Sequence, residues 1–296
     1  MSGMKVGLNG TVLEADEAVI SVYDHGFLYG LGLFETFRTY GGRPYLLSAH
    51  MERLHNGCRE LGIHFSMPED AVESWVRELL QENGLEDGYV RLTVSAGEAE
   101  LGLPAADYTE PTVLLLVKPL PPVSEEAVLR GRALRLLNTR RNTPEGNVRF
   151  KSLHYMNNIL ARRELMSCGD AVAPGTEGLM LSGDNWLAEG IVSNLFFYRD
   201  GTVYTPDIAT GILPGVTRKR VMELAELEGL PVQEGFYTWE QLWGAEEIWI
   251  TNSIQEVVPV TTLIAADGEH IAVSGGIAGE VTRRILAAYR NDIMCT

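Results

Sequence analysis

Lysine is scarce in this sequence: the 24 basic residues among 296 include four lysines, Lys5, Lys118, Lys151 and Lys219, and arginine supplies the rest. A guanidinium stays protonated and cannot condense with a carbonyl, so chemistry that needs a neutral amine falls to one of those four. Cysteine is scarce too. Cys58, Cys168 and Cys295 are odd in number and lack metal-ligand spacing, which argues against a disulfide framework and reads as reduced thiols in a cytoplasmic protein. Positive charge is in deficit. A formal net charge of -16 argues against nucleic acid and anionic membrane as main partners, since both need a basic footprint. No apolar run is long enough to span a bilayer, and Met1 to Lys5 lead straight into strand-like sequence, so neither a span nor a secretory leader is expected. Internal repeats and low-complexity segments are absent as well.

What is present is a large apolar fraction, 45%, enough for one big core or two domains sharing an interface. Val6 to Leu8 and Val12 to Leu13 flank Asn9-Gly10, a strong hairpin signal. Further strands are expected at Ala18 to Val22, Leu33 to Tyr40, Tyr89 to Ser95 and Pro111 to Val117. A helix with Ser48 as its N-cap carries a stripe of Leu47, Met51, Leu54, Cys58 and Leu61, and a second runs from about Pro68 to Asn83. Lys118-Pro119-Leu120-Pro121-Pro122-Val123-Ser124 reads as a linker, because proline at this density suits a semi-rigid spacer. The expected organisation is therefore a smaller domain over residues 1–118, a linker over 119–124 and a larger domain over 125–296. In the second half, strands are expected near Ala133 to Leu137, Gly178 to Ser182 and Glu247 to Thr251, with a hairpin around Asp200-Gly201. Helices are expected from Val216 and from Gly275 to Tyr289. The class is mixed α/β.

Four features of the second half belong together if the ligand is pyridoxal phosphate, which needs an amine for its aldehyde, an acid facing its ring nitrogen and donors for its phosphate. Lys151, in Arg149-Phe150-Lys151-Ser152-Leu153-His154, is the amine; alone it reads as a surface lysine before a helix. Glu189, in Ala188-Glu189-Gly190, is the acid; alone it reads as an exposed turn residue. Gly211-Ile212-Leu213-Pro214-Gly215-Val216-Thr217-Arg218 opens onto a helix whose N-terminus would favour an anion, or else Thr217 simply caps that helix. Thr251-Asn252-Ser253 ends a strand with small donors, or is a plain turn. Arg53, on the first-half helix, could reach a phosphate or pair with Glu52 or Glu60 in solvent.

Seven segments in order resemble the fold-type IV pyridoxal-phosphate enzymes, the class IV aminotransferase family, from about Val6 to Val260. They are Ile20 to Gly30, Phe34-Glu35-Thr36, His50-x-x-Arg53-Leu54, Lys151-Ser152, Glu189-Gly190-x-x-Ser193-Asn194, Gly211 to Arg218 and Thr251-Asn252-Ser253. The resemblance implies that Lys151 holds the cofactor and Glu189 contacts its pyridine nitrogen. It implies that Arg53, Val216, Thr217, Asn252 and Ser253 bind phosphate and that Leu213 packs on the ring. It also implies a two-domain fold of the D-amino-acid aminotransferase type and a homodimer.

Within the family, Arg141 to Asn147 followed by Lys151-Ser152-x-His154-Tyr155-x-Asn157-Asn158 is most similar to the 4-amino-4-deoxychorismate lyases of Gram-positive bacteria. That likeness implies release of 4-aminobenzoate and pyruvate in folate biosynthesis. Lys151 would move the ring proton, Thr36 would hold a water or hydroxyl near the leaving group, and Tyr29 and Arg91 would meet a substrate carboxylate. D-amino-acid aminotransferases carry a tyrosine where Phe34 stands and an arginine where Ala96 stands. Two alternatives stay open: an aminotransferase acting on branched-chain or other amino acids, and a non-catalytic protein that reuses the fold.

Overall fold

The Asn9-Gly10 hairpin forms as its residues dictate. Both turn residues have positive φ, 49° and 83°, as a type I′ turn requires, and they join β1 (Lys5–Leu8) to β2 (Thr11–Glu14). The computed structural model describes residues 3–104, 106–122, 124–169, 173 and 175–295. The chain divides into two units: Met1–Pro121 with Phe150–His154, and Pro122–Arg149 with Tyr155–Thr296. Lys151, which the sequence reading assigned to the second domain, thus packs with the first unit. Of the expected linker, Val123 lies outside the described residues, and Ser124 caps a short helix, its Oγ accepting from Ala127 N–H.

The first unit continues with α1 (His25–Tyr29), β3 (Gly32–Tyr40), β4 (Arg43–Pro44), α2 (Leu47–Glu60), α3 (Glu69–Glu82), β5 (Tyr89–Ser95) and β6 (Thr112–Lys118). Its six strands form one sheet in the order β2-β1-β6-β5-β3-β4, every neighbouring pair antiparallel. Leu33 and Phe37 of β3, Val90, Leu92 and Val94 of β5 and Leu115 of β6 form one core with Leu47, Met51 and Leu54 of α2 and Trp75, Val76 and Leu79 of α3. Two expectations fail here. Ala18 to Val22 is not a strand; among the described residues no neighbour pairs with it, and Val19 and Val22 are exposed. Ser48 does not cap α2: the cap is Leu46 at φ 56°, and Ser48 Oγ donates to Glu69.

The second unit holds α4 (Glu125–Arg130), β7 (Arg132–Leu136), α5 (Met156–Ser167), β8 (Glu177–Leu181), β9 (Leu187–Gly190), β10 (Asn194–Arg199), β11 (Thr202–Pro206), α6 (Val216–Leu227), β12 (Val232–Gly235), α7 (Trp239–Trp243), β13 (Glu247–Asn252), β14 (Glu256–Ile264), β15 (His270–Ala272) and α8 (Glu280–Cys295). Strands β10-β13-β14-β7-β8-β9 run in sequence around a ring that closes where β9 meets β10 again, at the pair Glu189↔Asn194. Leu134, Leu179, Leu181, Leu195, Ile248, Ile250 and Leu263 belong to the apolar cluster of this sheet. The last helix starts at Glu280 rather than Gly275, because Ser274 to Gly276 form a turn with positive φ at all three residues. The cysteines are free thiols, and burial pushes the Cys58 thiol up to about 12. Among the described residues no His, Cys, Asp or Glu group could hold a metal, and no helix is long and apolar enough to cross a membrane.

Candidate active site

Side chains alternate across the two faces of β3. Leu33, Glu35 and Phe37 meet α2, whereas Phe34 and Thr36 take the other face. Arg91 of β5 stands opposite Thr36 in register, and its guanidinium carbon lies 3.6 Å from the centroid of the Phe34 ring. Lys151 Nζ lies 4.7 Å from the same centroid. Its segment is held by main chain: Phe34 N–H donates to Lys151 O at 2.9 Å and Leu153 N–H donates to Gly32 O at 3.0 Å. An amine and a guanidinium thus share one aromatic platform, each cation–ring contact contributing about 0.5–2 kcal/mol. Tyr29 ends α1; its hydroxyl accepts from Gly102 N–H and its carbonyl meets His154 Nε2 at 3.3 Å.

On the α2 face, Arg53 is not paired with Glu52 or Glu60 in solvent. Its Nε donates to Glu35 Oε1 at 2.7 Å and its NH2 to Glu35 Oε2 at 2.6 Å, while His50 Nδ1 lies 2.6 Å from Oε2. Burial alone would push the Glu35 carboxyl up, but Arg53 and His50 outweigh it and hold the group at about 2. Burial lowers the His50 pKa against the pull of Glu35, and Nδ1, facing a carboxylate that can only accept, carries the proton given to it.

In the second unit, the closing pair of the ring carries the acid. Glu189 is 5% exposed. Its Oε1 accepts from Arg141 Nε at 2.7 Å; its Oε2 accepts from Leu213 N–H at 3.0 Å and from Asn194 Nδ2 at 3.2 Å. A carboxylate offers about four acceptor positions, so these three donors leave room for one more, on Oε1. Asn194 Nδ2 also donates to Leu213 O at 2.9 Å, tying the Gly211 to Gly215 loop to the end of β10. Arg141 is itself fixed by Asn157 Oδ1 at 2.7 Å.

That loop opens onto α6, whose N-cap, Gly215, provides no side-chain cap, and whose first turn has no acidic residue. Thr217 therefore does not cap the helix. It lies in the first turn, 2% exposed, its Oγ1 3.0 Å from Ser253 Oγ. Val216 opens the helix and is buried. A Cβ on Gly215 would stand 2.0 Å from Asn194 Oδ1, so the loop can approach the strand only as glycine. Asn252 turns inward on its own chain: Oδ1 accepts from the N–H groups of Ile254 and Gln255 at 3.0 and 2.8 Å. Beside it, Thr251 Oγ1 is buried with no hydrogen-bond partner among the described residues.

These donor sets fit the cofactor that the resemblance implies. A helix N-terminus without a side-chain cap, next to two adjacent hydroxyls, suits a phosphate. A buried carboxylate with one acceptor position left suits a protonated ring nitrogen, and in the first unit Lys151 offers a primary amine. Reasoning from sequence missed Arg141, Asn194, Glu35 and His50 as parts of these networks. Arg141 and Asn194 stand inside quoted motifs, but nothing in the spacing says that residues 48 apart share an oxygen.

Comparison with known proteins shows the family. The family model for class IV amino-transferases matches residues 32–263. An aminodeoxychorismate lyase of Bacillus subtilis (strain 168) is 41% identical over 97% of this chain and 94% of its own length. A branched-chain-amino-acid aminotransferase of Pseudomonas aeruginosa is 30% identical over 95% of this chain and 90% of its own. The crystal structure of the branched-chain amino acid aminotransferase of Escherichia coli superposes with a TM-score of 0.85 at 27% identity, covering 98% of this chain and 94% of that one. Another branched-chain amino acid aminotransferase, solved with pyridoxamine 5'-phosphate, superposes with a TM-score of 0.84 at 27% identity, covering 99% of this chain and 95% of that one.

Proposed function

This chain belongs to the class IV aminotransferase family, and we propose that within it the protein is a pyridoxal-phosphate-dependent 4-amino-4-deoxychorismate lyase, releasing 4-aminobenzoate and pyruvate. One observation carries the reading: Lys151 and Arg91 both contact the Phe34 ring, an amine and a cation suited to a carboxylate gathered around one side chain. The proposed substrate has an amino group and two carboxylates. Similarity to the Bacillus lyase, 41% against 33% and 30% for two branched-chain aminotransferases, favours elimination over amino-group exchange. Phe34 and Ala96 stand where D-amino-acid aminotransferases are expected to carry tyrosine and arginine.

When bound, the cofactor supplies an aldehyde for a primary amine and a sink for the electron pair left by deprotonation of the carbon bearing that amine. Lys151 Nζ removes the proton from the ring carbon that carries the 4-amino group, the task of a general base with a pKa near the working pH. The carbon–oxygen bond to the enolpyruvyl group then breaks, the ring becomes aromatic, and the departing enolate takes a proton to become pyruvate. Arg91 holds a carboxylate of the substrate, with Tyr29 a second candidate. Thr36, opposite Arg91, holds a water or hydroxyl near the leaving group. Glu189, fixed by Arg141, Asn194 and Leu213, would accept the N–H of the cofactor ring. Leu213 would pack on the ring, and Val216, Thr217, Asn252, Ser253 and Arg53 would supply phosphate donors. A homodimer in the cytoplasm belongs to the same reading.

The test is incubation with 4-amino-4-deoxychorismate and assay of 4-aminobenzoate and pyruvate, beside offers of L-leucine or D-alanine with a keto acid. Equimolar products, abolished in Lys151→Ala together with the bound chromophore, are expected. Faster amino-group exchange than product release would replace the lyase with an aminotransferase.

A further inference from the structure

Glu35 is a charged side chain set in the core of the first unit, and stability gives little reason for it. Its carboxylate is 1% exposed, among residues that include Leu33, Phe37, Met51 and Leu54. A buried ion pair is commonly no more stable than apolar residues of the same volume, because desolvation offsets the attraction. The arrangement does accomplish something else. Glu35 takes the Nε and NH2 edge of Arg53 side-on through both of its oxygens, and His50 braces Oε2 from the same helix, three residues away. The Arg53 side chain is 19% exposed, so a guanidinium at the edge of the core is clamped along its inner edge by a carboxylate that cannot move. A planar donor held this way loses little freedom on meeting an anion.

We infer that Glu35 and His50 are positioning residues that preset Arg53 as a donor to the cofactor phosphate. The inference rests on the proposed cofactor and on the role given to Arg53 above. A tie that merely joined β3 to α2 would place no demand on what the ligand carries; a preset donor would be felt by the phosphate alone.

The experiment measures dissociation constants of the full-length apoprotein for pyridoxal 5'-phosphate and for pyridoxal, which lacks the phosphate. The proteins are wild type, Glu35→Gln, His50→Ala, Arg53→Lys and Glu35→Gln/Arg53→Lys. Glu35→Gln should weaken pyridoxal 5'-phosphate by about 10- to 100-fold, the size usual for loss of a supporting hydrogen-bond partner, and change pyridoxal by less than about 2-fold. His50→Ala should give a smaller loss of the same kind, and keeps the inference testable should Glu35→Gln fail to fold. The double variant should bind no more weakly than Arg53→Lys, since a positioning residue acts only through the group it positions. Equal losses for both ligands, additive losses in the double variant, or no loss would overturn the inference. Wild type that bound neither ligand would instead sink the cofactor reading on which it stands.

Discussion

The Glu35 cluster should leave a mark on how the protein resists acid. In the unfolded chain this carboxyl has its ordinary value near 4.5, whereas in the fold Arg53 and His50 hold it at about 2. Between those two values the unfolded chain binds a proton that the folded chain refuses. The group therefore contributes its full stability above pH 4.5 and loses it as pH falls toward 2. At about 1.4 kcal/mol for each tenfold change in proton affinity, the full contribution is about 3 kcal/mol, of which about 2 kcal/mol is gone by pH 3. His50 acts in the same direction at higher pH. Its pKa is lowered by burial, so its contribution is present above the ordinary value of 6.5 and fades as pH falls below it. The assay is urea unfolding of wild type and Glu35→Gln at pH 7, 5, 4 and 3. At pH 7 the variant should be less stable by about 3–5 kcal/mol, the usual penalty for a buried cation left without its partner. That gap should narrow by about 2 kcal/mol at pH 3, where wild type has begun to lose the charge the variant never had. All other carboxylates are common to both proteins and cancel. Parallel stability curves across the whole range would refute the assignment of the charge to Glu35.

Other consequences concern the second unit and the Phe34 platform. Glu189→Gln should retain bound cofactor by absorbance yet lower kcat by about a hundredfold, since a neutral amide no longer favours the protonated ring nitrogen; unchanged turnover would remove Glu189 from the site. Gly215→Ala, whose methyl would collide with Asn194 Oδ1, should cost about 1–3 kcal/mol in unfolding free energy and weaken cofactor retention, because Asn194 also holds Glu189 and Leu213. A thermal midpoint and absorbance equal to wild type would show the loop can yield. Arg91→Leu should raise KM for the substrate at least about tenfold, the loss of one charged hydrogen bond at about 1.5–3 kcal/mol, without release of cofactor; a change in kcat alone would place Arg91 elsewhere in the reaction.

Elements with a strong local pattern were legible in the sequence. The Asn9-Gly10 hairpin, the stripes of α2 and α3 and the alternating β5 follow from turn chemistry and hydrophobic period. Elements whose pattern is ambiguous were not. In α5, Met156, Ile159 and Leu160 are exposed while Asn158 is buried, the reverse of a simple amphipathic helix. β14 contains Pro259, which argues locally against an inner strand. Ala18 to Val22 has the composition of a strand but no partner, and a strand exists only by pairing.

The sequence by itself determined which chemistry was available. Among four lysines one stood in a telling segment, and Glu189, the Gly211 to Arg218 loop and Thr251-Asn252-Ser253 followed in the order of one family, because such motifs are local in the chain. Tertiary structure alone decided who touches whom. Closure of the second sheet at Glu189↔Asn194 sets the acid among Arg141, Asn194 and Leu213. Register between β3 and β5 brings Arg91 onto Phe34, and packing of α2 on β3 gives Arg53 to Glu35. Apart from Glu189 with Asn194, five residues on, these contacts join residues far apart in the chain, and no local pattern encodes a distance that only folding creates.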